Sequence, residues 1–183
     1  MTEPRKPTGM DLVLGPEDIS KMVARLAREI DQDLGALLYP GEKIVVMGVL
    51  NGGFIFMADL VRELSIPLEV DFIRLSSYQD DSSSSQQVVM LKAPEKNLSG
   101  RHVLVVEDLA DCGLTLNWLR GFINTKGPAS VRIAVLVDKL ERRQFQVRLD
   151  YVGHVLKEGF LVGYGLDYAQ DYRNLKGIYH LRF

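Results

Sequence analysis

One segment restricts the possible folds of this chain more than any other. An apolar run at 102–106 is followed by Glu107 and Asp108, then by Asp111, and a helical spacing of apolar residues begins at Leu116. This order predicts a buried strand, an acidic turn and a helix N-terminus, where free N–H groups and the macrodipole attract phosphate. Three carboxylates would repel a bare anion, so the pattern indicates a ligand that also brings a divalent metal, sugar hydroxyls or a proton to be accepted. A phosphorylated sugar with magnesium fits that description. Acidic residues after a strand also occur in ordinary solvated turns, and spacing alone leaves that alternative open.

Helical and strand patterns alternate along the rest of the chain. Helices are predicted at 16–38 and 54–64 and from Leu116 to near 127, and strands at 43–49, 68–74, 102–106, 131–137, 151–155, 160–162 and 178–181. Residues 76–87 are polar and serine-rich, and we predict that they are mobile. Such alternation predicts a mostly parallel α/β sheet, in which ligands bind beyond the carboxyl ends of the strands. The turn at Gly52, the acidic segment and the region after Val137 all fall at such ends.

Composition narrows the class of protein. The chain has 183 residues, 46% of them hydrophobic and 25% charged, which is typical of one soluble globular domain. A formal net charge of −2 and a sequence pI of about 5.9 disfavour a dedicated nucleic-acid binder. The lone cysteine, Cys112, excludes an intramolecular disulfide and a cysteine-based zinc site. No signal peptide or membrane-spanning segment is evident, so a cytoplasmic protein is expected.

Five motifs occur together in an order typical of one family. They are the acidic segment 105–116, Val49–Asp59, Ser76–Tyr78, Leu136–Lys139 and Phe160–Tyr168. In this order they resemble the hypoxanthine-guanine phosphoribosyltransferases, the 6-oxopurine branch of the type I phosphoribosyltransferases. The similarity covers roughly residues 15–183. It implies a type I phosphoribosyltransferase fold: a mostly parallel central sheet flanked by helices, with a small hood built largely from the C-terminal segment.

The resemblance also implies how the chain is organised and what it does. Residues 1–183 would form a single domain, with a flexible N-terminus at 1–14 and a mobile catalytic lid at 76–90. The protein would be a cytoplasmic, magnesium-dependent enzyme of purine salvage, and it would assemble as a homodimer or homotetramer. It would transfer phosphoribosyl from phosphoribosyl pyrophosphate to hypoxanthine or guanine, giving the nucleoside monophosphate and pyrophosphate. The family's transition state resembles a ribosyl oxocarbenium ion.

Site residues follow from the resemblance, motif by motif. The residues implied to bind phosphoribosyl pyrophosphate are Asn51, Gly52, Gly53, Glu107, Asp108, Asp111, Cys112, Gly113, Leu114, Thr115 and Arg173. Those implied to bind the purine are Lys139, Phe160, Leu161 and Asp167, those implied to bind magnesium are Glu107, Asp108 and Asp167, and Ser77 and Tyr78 belong to the lid. Asp111 would be the general base at purine N7, and Lys139 would donate to the 6-oxo group. Phe160 would stack on the base.

Two positions depart from the family pattern. Asn51 stands where relatives often carry Lys or Arg, and Cys112 stands where they often carry Thr. The first departure removes a positive charge next to the pyrophosphate, and the second removes a hydroxyl that would face the phosphate. The family's cis peptide bond would fall between Leu50 and Asn51.

Two alternatives remain at this point. One is a phosphoribosyltransferase for another base; Lys139 and the 160–167 segment argue against uracil and adenine but leave a preference for xanthine open. The other is an RNA-binding regulator built on the same fold, against which the acidic pI and the missing basic stripe argue.

Overall fold

Three helices and nine strands lie within residues 5–79 and 86–183, which the computed structural model describes. In chain order they are β1 (Gly9–Leu14), α1 (Pro16–Gly35), β2 (Ile44–Leu50), α2 (Phe54–Glu63), β3 (Leu68–Gln79), β4 (Gln86–Lys92), β5 (His102–Ala110), α3 (Leu114–Asn124), β6 (Ser130–Lys139), β7 (Tyr151–Leu156), β8 (Leu161–Val162) and β9 (Ile178–Arg182). None of the helices in these ranges is both long enough and apolar enough to cross a bilayer.

The larger sheet of the described residues has six strands, in the order β4-β3-β2-β5-β6-β7. Every neighbouring pair is parallel except β3 and β4, which pair antiparallel at one edge. The predicted mostly parallel sheet is therefore confirmed. Because β2, β5 and β6 are adjacent and parallel, the residues that follow their carboxyl ends meet at one edge of the sheet.

Helices cover both faces of this sheet. Alternate residues of β2 point to opposite faces: Ile44 and Val46 join the core beneath α1 and α2, while Val45 and Met47 join the core beneath α3. α1 contributes a buried stripe of Ile19, Met22, Val23, Leu26, Ala27, Ile30 and Leu34. The spacing of this stripe is helical, and its burial against the sheet gives the helix most of its stability.

A second, antiparallel sheet has the order β1-β9-β8. In its register Gly9 pairs with Arg182 and Leu161 pairs with His180. Two of its strands come from the C-terminal part of the chain and one from the N-terminal part. The hood predicted from the resemblance stays a prediction.

Several boundaries differ from the sequence predictions. Residues 9–14, placed within a flexible N-terminus, form β1 because β9 offers a partner for their backbone. Residues 86–92 form β4, which was not predicted, and 76–79 extend β3 rather than forming loop. Residues 80–85 of the predicted lid, and the side chains of Ser77 and Tyr78, lie outside what the structure describes. α1 ends at Gly35 rather than at 38. Just after Gly35, the Leu37 N–H donates to Leu34 O in a tighter turn than that of an α-helix.

The most informative difference concerns β5. The predicted strand ended at Val106 and was followed by an acidic turn, but β5 continues to Ala110. Pairing with β6 persists through Glu107↔Val135 and Ala110↔Asp138. Glu107 and Asp108 are therefore strand residues, and each is about 9% exposed. The solvated-turn alternative is wrong for this pair.

Candidate active site

The ends of β5 and β6 place two chemically opposite side chains together. Ala110 pairs with Asp138, so the next residues, Asp111 and Lys139, are neighbours. Asp111 Oδ1 lies 3.3 Å from Lys139 Nζ. This approach does not have hydrogen-bond geometry, and Asp111 Oδ1 is buried without a hydrogen-bond partner among the described residues. The site thus places an acceptor that is ion-paired but not hydrogen-bonded beside a buried ammonium donor.

Both side chains line a cavity of about 380 Å³. The other residues that line it are Glu107, Asp108, Leu109, Ala110, Cys112, Gly113, Thr115, Leu116, Arg142, Phe160, Leu161, Leu166 and Asp167. Most of the site residues predicted from three of the five motifs, 105–116, 136–139 and 160–168, therefore line one cavity. A larger cavity of about 590 Å³ lies between α1, α2 and residues 174–176 and contains none of them. We assign the site to the smaller cavity because the ionisable groups converge there.

The adjacent carboxylates Glu107 and Asp108 are the most perturbed acids at the site. Burial is the main cause that raises the pKa of Glu107 well above its usual range, and the charge of the neighbouring Asp108 carboxylate is the second cause. Burial also raises the pKa of Asp108, against the lowering effect of hydrogen bonds and of the distant Arg173 charge. Two buried like charges are unfavourable unless a ligand compensates them. Sugar hydroxyls or a cation would provide that compensation.

The loop between β5 and α3 is shaped to receive an anion. Gly113 adopts φ +88° and caps α3, a backbone conformation that L side chains rarely adopt. A Cβ at this position would lie 2.3 Å from Phe145 O, so the loop also packs tightly against residues 143–145. The first N–H groups of α3, from Leu114 onward, have no acceptor within the helix and sit at its positive end. A phosphate group fits this environment.

Aromatic rings support the opposite side of the cavity. Phe160 is half-buried and contacts Tyr168 and Phe183 edge-to-face, with ring centroids 5.3 and 5.9 Å apart. Phe160 O accepts from Leu181 N at 2.8 Å, which fixes its backbone. Leu161 is buried in β8. A planar apolar ligand could therefore stack on a ring that is held in place from behind.

The turn after β2 approaches the carboxylate pair. The Leu50–Asn51 peptide bond is cis, which confirms the expectation from the resemblance. Asn51 is exposed. A Cβ on Gly52 would lie 1.7 Å from Asp108 Oδ2, and a Cβ on Gly165 would lie 2.2 Å from Gly52 O. Only glycine permits these close approaches, of Gly52 to a buried carboxylate and of Gly165 to the backbone of Gly52.

Arg173 lies behind this turn rather than along the wall of the cavity. Its Nη1 donates to Gly165 O at 2.7 Å, and its Nη2 forms an ion pair with Asp167 Oδ1 at 2.7 Å. Its charge also lowers the pKa of Asp108, which remains raised overall because of burial. Arg173 therefore brings positive charge to the side of the site where the pyrophosphate is predicted to bind.

The residues present fit magnesium in one binding mode only. Within residues 5–79 and 86–183, no three His, Cys, Asp or Glu side chains form a cluster that could hold a metal. Magnesium commonly binds through one or two carboxylates together with substrate oxygens and water. The buried pair Glu107–Asp108 suits that mode. Asp167 is already paired with Arg173, so the predicted three-carboxylate set stays a prediction.

Sequence reasoning missed two arginines at this site. Arg142 lines the cavity, and the Arg143 Nε donates to Asp111 O in the loop before α3. Both lie in the irregular segment after β6. No periodicity or motif distinguishes them, and only the observed contacts identify them.

The chain matches a family described as "Phosphoribosyl transferase domain" over residues 15–169. A hypoxanthine phosphoribosyltransferase of Haemophilus influenzae is 38% identical over 169 residues, covering 91% of this chain and 92% of the relative. A hypoxanthine-guanine phosphoribosyltransferase of Mycobacterium avium is 40% identical over 168 residues, covering 91% and 83%.

Solved structures agree in fold. A Trypanosoma cruzi hypoxanthine phosphoribosyltransferase superposes with a TM-score of 0.89 at 38% identity, covering 98% of this chain and 95% of the other. A Staphylococcus aureus hypoxanthine phosphoribosyltransferase superposes with a TM-score of 0.86 at 32% identity, covering 94% and 91%. The similarity thus extends over nearly the whole chain.

Proposed function

The chain belongs to the phosphoribosyl transferase family, and from that premise we propose that it is a purine salvage enzyme. It transfers the phosphoribosyl group of phosphoribosyl pyrophosphate to hypoxanthine or guanine. The purine nitrogen N9 bonds to the ribose C1′, the bond from C1′ to pyrophosphate breaks, and the purine gives up one proton. The products are IMP or GMP and pyrophosphate.

One observation supports the choice of base above all. Asp111 Oδ1 accepts no hydrogen bond among the described residues, and the Lys139 ammonium, ion-paired with it at 3.3 Å, is a donor. One edge of a 6-oxopurine offers the complementary pair, an N7–H donor next to an O6 acceptor. Adenine instead has an amino donor at position 6, which would face the ammonium unfavourably. The pair therefore favours hypoxanthine and guanine over adenine.

The carboxylate pair and the loop before α3 account for the binding of phosphoribosyl pyrophosphate. Glu107 and Asp108 hold the ribose hydroxyls, and their negative charge favours a cationic ribosyl transition state. The N–H groups of residues 112–115 at the start of α3 hold the 5′-phosphate. The turn at Asn51–Gly53 and Arg173 hold the pyrophosphate, where a guanidinium fork suits phosphate oxygens.

The remaining residues act on the base and on the leaving group. Phe160 stacks on the purine and Leu161 offers backbone groups to its edge, while Asp111 accepts or shares the N7 proton as general base. Glu107 and Asp108, with Asp167 nearby, would hold magnesium. When bound, this ion supplies charge neutralisation for the departing pyrophosphate. The lid around Ser77 and Tyr78 would exclude water from the reacting carbon.

A single assay tests the proposal. The protein is incubated with phosphoribosyl pyrophosphate, magnesium and one of four bases: hypoxanthine, guanine, xanthine or adenine. Nucleotide formation from hypoxanthine or guanine, with little from adenine, is the expected result. Preferential use of xanthine would replace the substrate assignment, and the absence of product from all four bases would refute the activity.

We also propose a cytoplasmic location, as expected from the sequence, and a homodimer or homotetramer, which rests on the family resemblance alone. Sedimentation velocity on the purified chain measures the second property. A monomer at micromolar concentration would refute it.

A further inference from the structure

Arg143 crosses the carboxyl ends of β5 and β6. Its Nε donates to Asp111 O at 2.9 Å, and its Nη2 donates to Ala110 O at 3.1 Å and to Lys139 O at 3.4 Å. The same guanidinium pairs with the carboxylate of Asp138, and the side chain is about 20% exposed. One side chain therefore holds the backbone at the ends of two strands, including the carbonyl groups of Asp111 and Lys139, which carry the acceptor and the donor of the site.

Residues 143–145 also support the loop between β5 and α3 directly. The N–H groups of Gln144 and Phe145 both donate to Cys112 O at 3.0 Å. A Cβ on Gly113 would lie 2.3 Å from Phe145 O and 3.3 Å from Arg143 Cδ. The left-handed turn at Gly113 is thus packed against this segment, and Arg143 fixes the segment to both strands.

We propose that Arg143 is a positioning residue for phosphoribosyl transfer. It sets the separation of Asp111 from Lys139 and the position of the loop at residues 112–113, so that the purine edge and the ribose are aligned. Arg143 does not line the cavity, so it would act through the groups that it holds. This inference rests on the proposed function.

Arg143→Lys separates charge from geometry. Lysine keeps a positive charge beside Asp138 but cannot reproduce a planar fork that donates from two nitrogens to three carbonyl groups. Misplacement of reacting groups by about 1 Å can lower a rate by about 10²-fold. We expect kcat of Arg143→Lys to fall by about 10- to 100-fold, measured per folded molecule.

Arg120 provides a matched control at the opposite edge of the sheet. It is about 21% exposed, donates to Val131 O and Arg148 O, and pairs with Asp150 at 2.8 Å. Arg120→Lys therefore removes a similar set of structural contacts far from the site. We expect it to lower the melting temperature about as much as Arg143→Lys while kcat stays within about twofold of wild type.

Chemical rescue provides a second readout. Arg143→Ala should regain part of its kcat when methylguanidinium is added, whereas Arg120→Ala should not respond. The proposal is overturned if Arg143→Lys keeps the wild-type kcat, if Arg120→Lys loses as much, or if the loss simply follows the folded fraction measured by circular dichroism. An inactive wild-type protein would instead refute the proposed function, so the two failures are distinguishable.

Discussion

Replacing Gly113 by alanine tests how the loop that we propose to bind phosphate is built. Gly113 has φ +88°, and a Cβ there would lie 2.3 Å from a backbone oxygen, Phe145 O. Gly41 has nearly the same angle, φ +86°, but a Cβ there would meet nothing within 4 Å. The two glycines therefore separate the cost of the left-handed conformation from the cost of the clash.

The expected magnitudes follow from these two terms. A left-handed alanine costs about 1–2 kcal/mol, partly offset because alanine has fewer unfolded conformations than glycine. Gly41→Ala should therefore lower the free energy of unfolding by about 1 kcal/mol. Gly113→Ala adds overpacking against a backbone atom that cannot rotate away, worth about 1–3 kcal/mol, so it should lose about 2–4 kcal/mol in total.

Urea unfolding followed by the fluorescence of Trp118, the single tryptophan, measures both variants. Because Trp118 lies in α3, its emission also reports on the helix that the loop precedes. Titration calorimetry with phosphoribosyl pyrophosphate and magnesium then measures the loop's function. Gly113→Ala should bind more weakly, while Gly41→Ala should bind like wild type. Equal losses of stability and unchanged binding in both variants would refute the reasoning.

Three further substitutions test separate parts of the account. Asp111→Asn should lower turnover by about 10²-fold or more while leaving phosphoribosyl pyrophosphate binding largely intact in calorimetry; near-normal turnover would remove Asp111 from the role of base. Cys112→Thr restores a hydroxyl beside the predicted phosphate and should lower the KM for phosphoribosyl pyrophosphate; an unchanged KM would show that the backbone donors suffice. Although burial opposes it, backbone N–H groups of Lys96 and Glu95, 2.8 and 2.7 Å from Asp71, hold the pKa of Asp71 below its usual value. Its charged form therefore stabilises the fold above about pH 4, so Asp71→Asn should lower the free energy of unfolding by about 2 kcal/mol at pH 7. Urea unfolding at a series of pH values should show this difference shrinking below about pH 4. A difference that does not change with pH would contradict the reasoning.

The sequence was sufficient to predict the parallel sheet and the edge of the sheet at which the candidate site lies. Strand and helix periodicities alternate, and the residues that follow β2, β5 and β6 must then converge. The proximity of Asp111 to Lys139 depends not only on the strand order but also on the register that pairs Ala110 with Asp138. Periodicity carries no register between strands that are distant in the chain.

Other features depend on tertiary contacts that no local pattern encodes. Glu107 and Asp108 resemble turn residues by composition, yet continued pairing with β6 keeps them in a buried strand. β1 becomes a strand only because β9 lies beside it. The role inferred for Arg143 comes from carbonyl groups contributed by two different strands, and a sequence does not show which carbonyls an arginine will reach.

The binding of phosphoribosyl pyrophosphate tests the central claim most directly. Magnesium and phosphoribosyl pyrophosphate are titrated into the wild-type protein and into a Glu107→Gln, Asp108→Asn double variant, and the heat of binding is recorded. Saturable heat is expected for the wild type and much weaker binding for the double variant, because its two neutral amides replace the carboxylates that would hold the ribose hydroxyls and the metal. No heat with the wild-type protein, or equal affinity for both proteins, would contradict it.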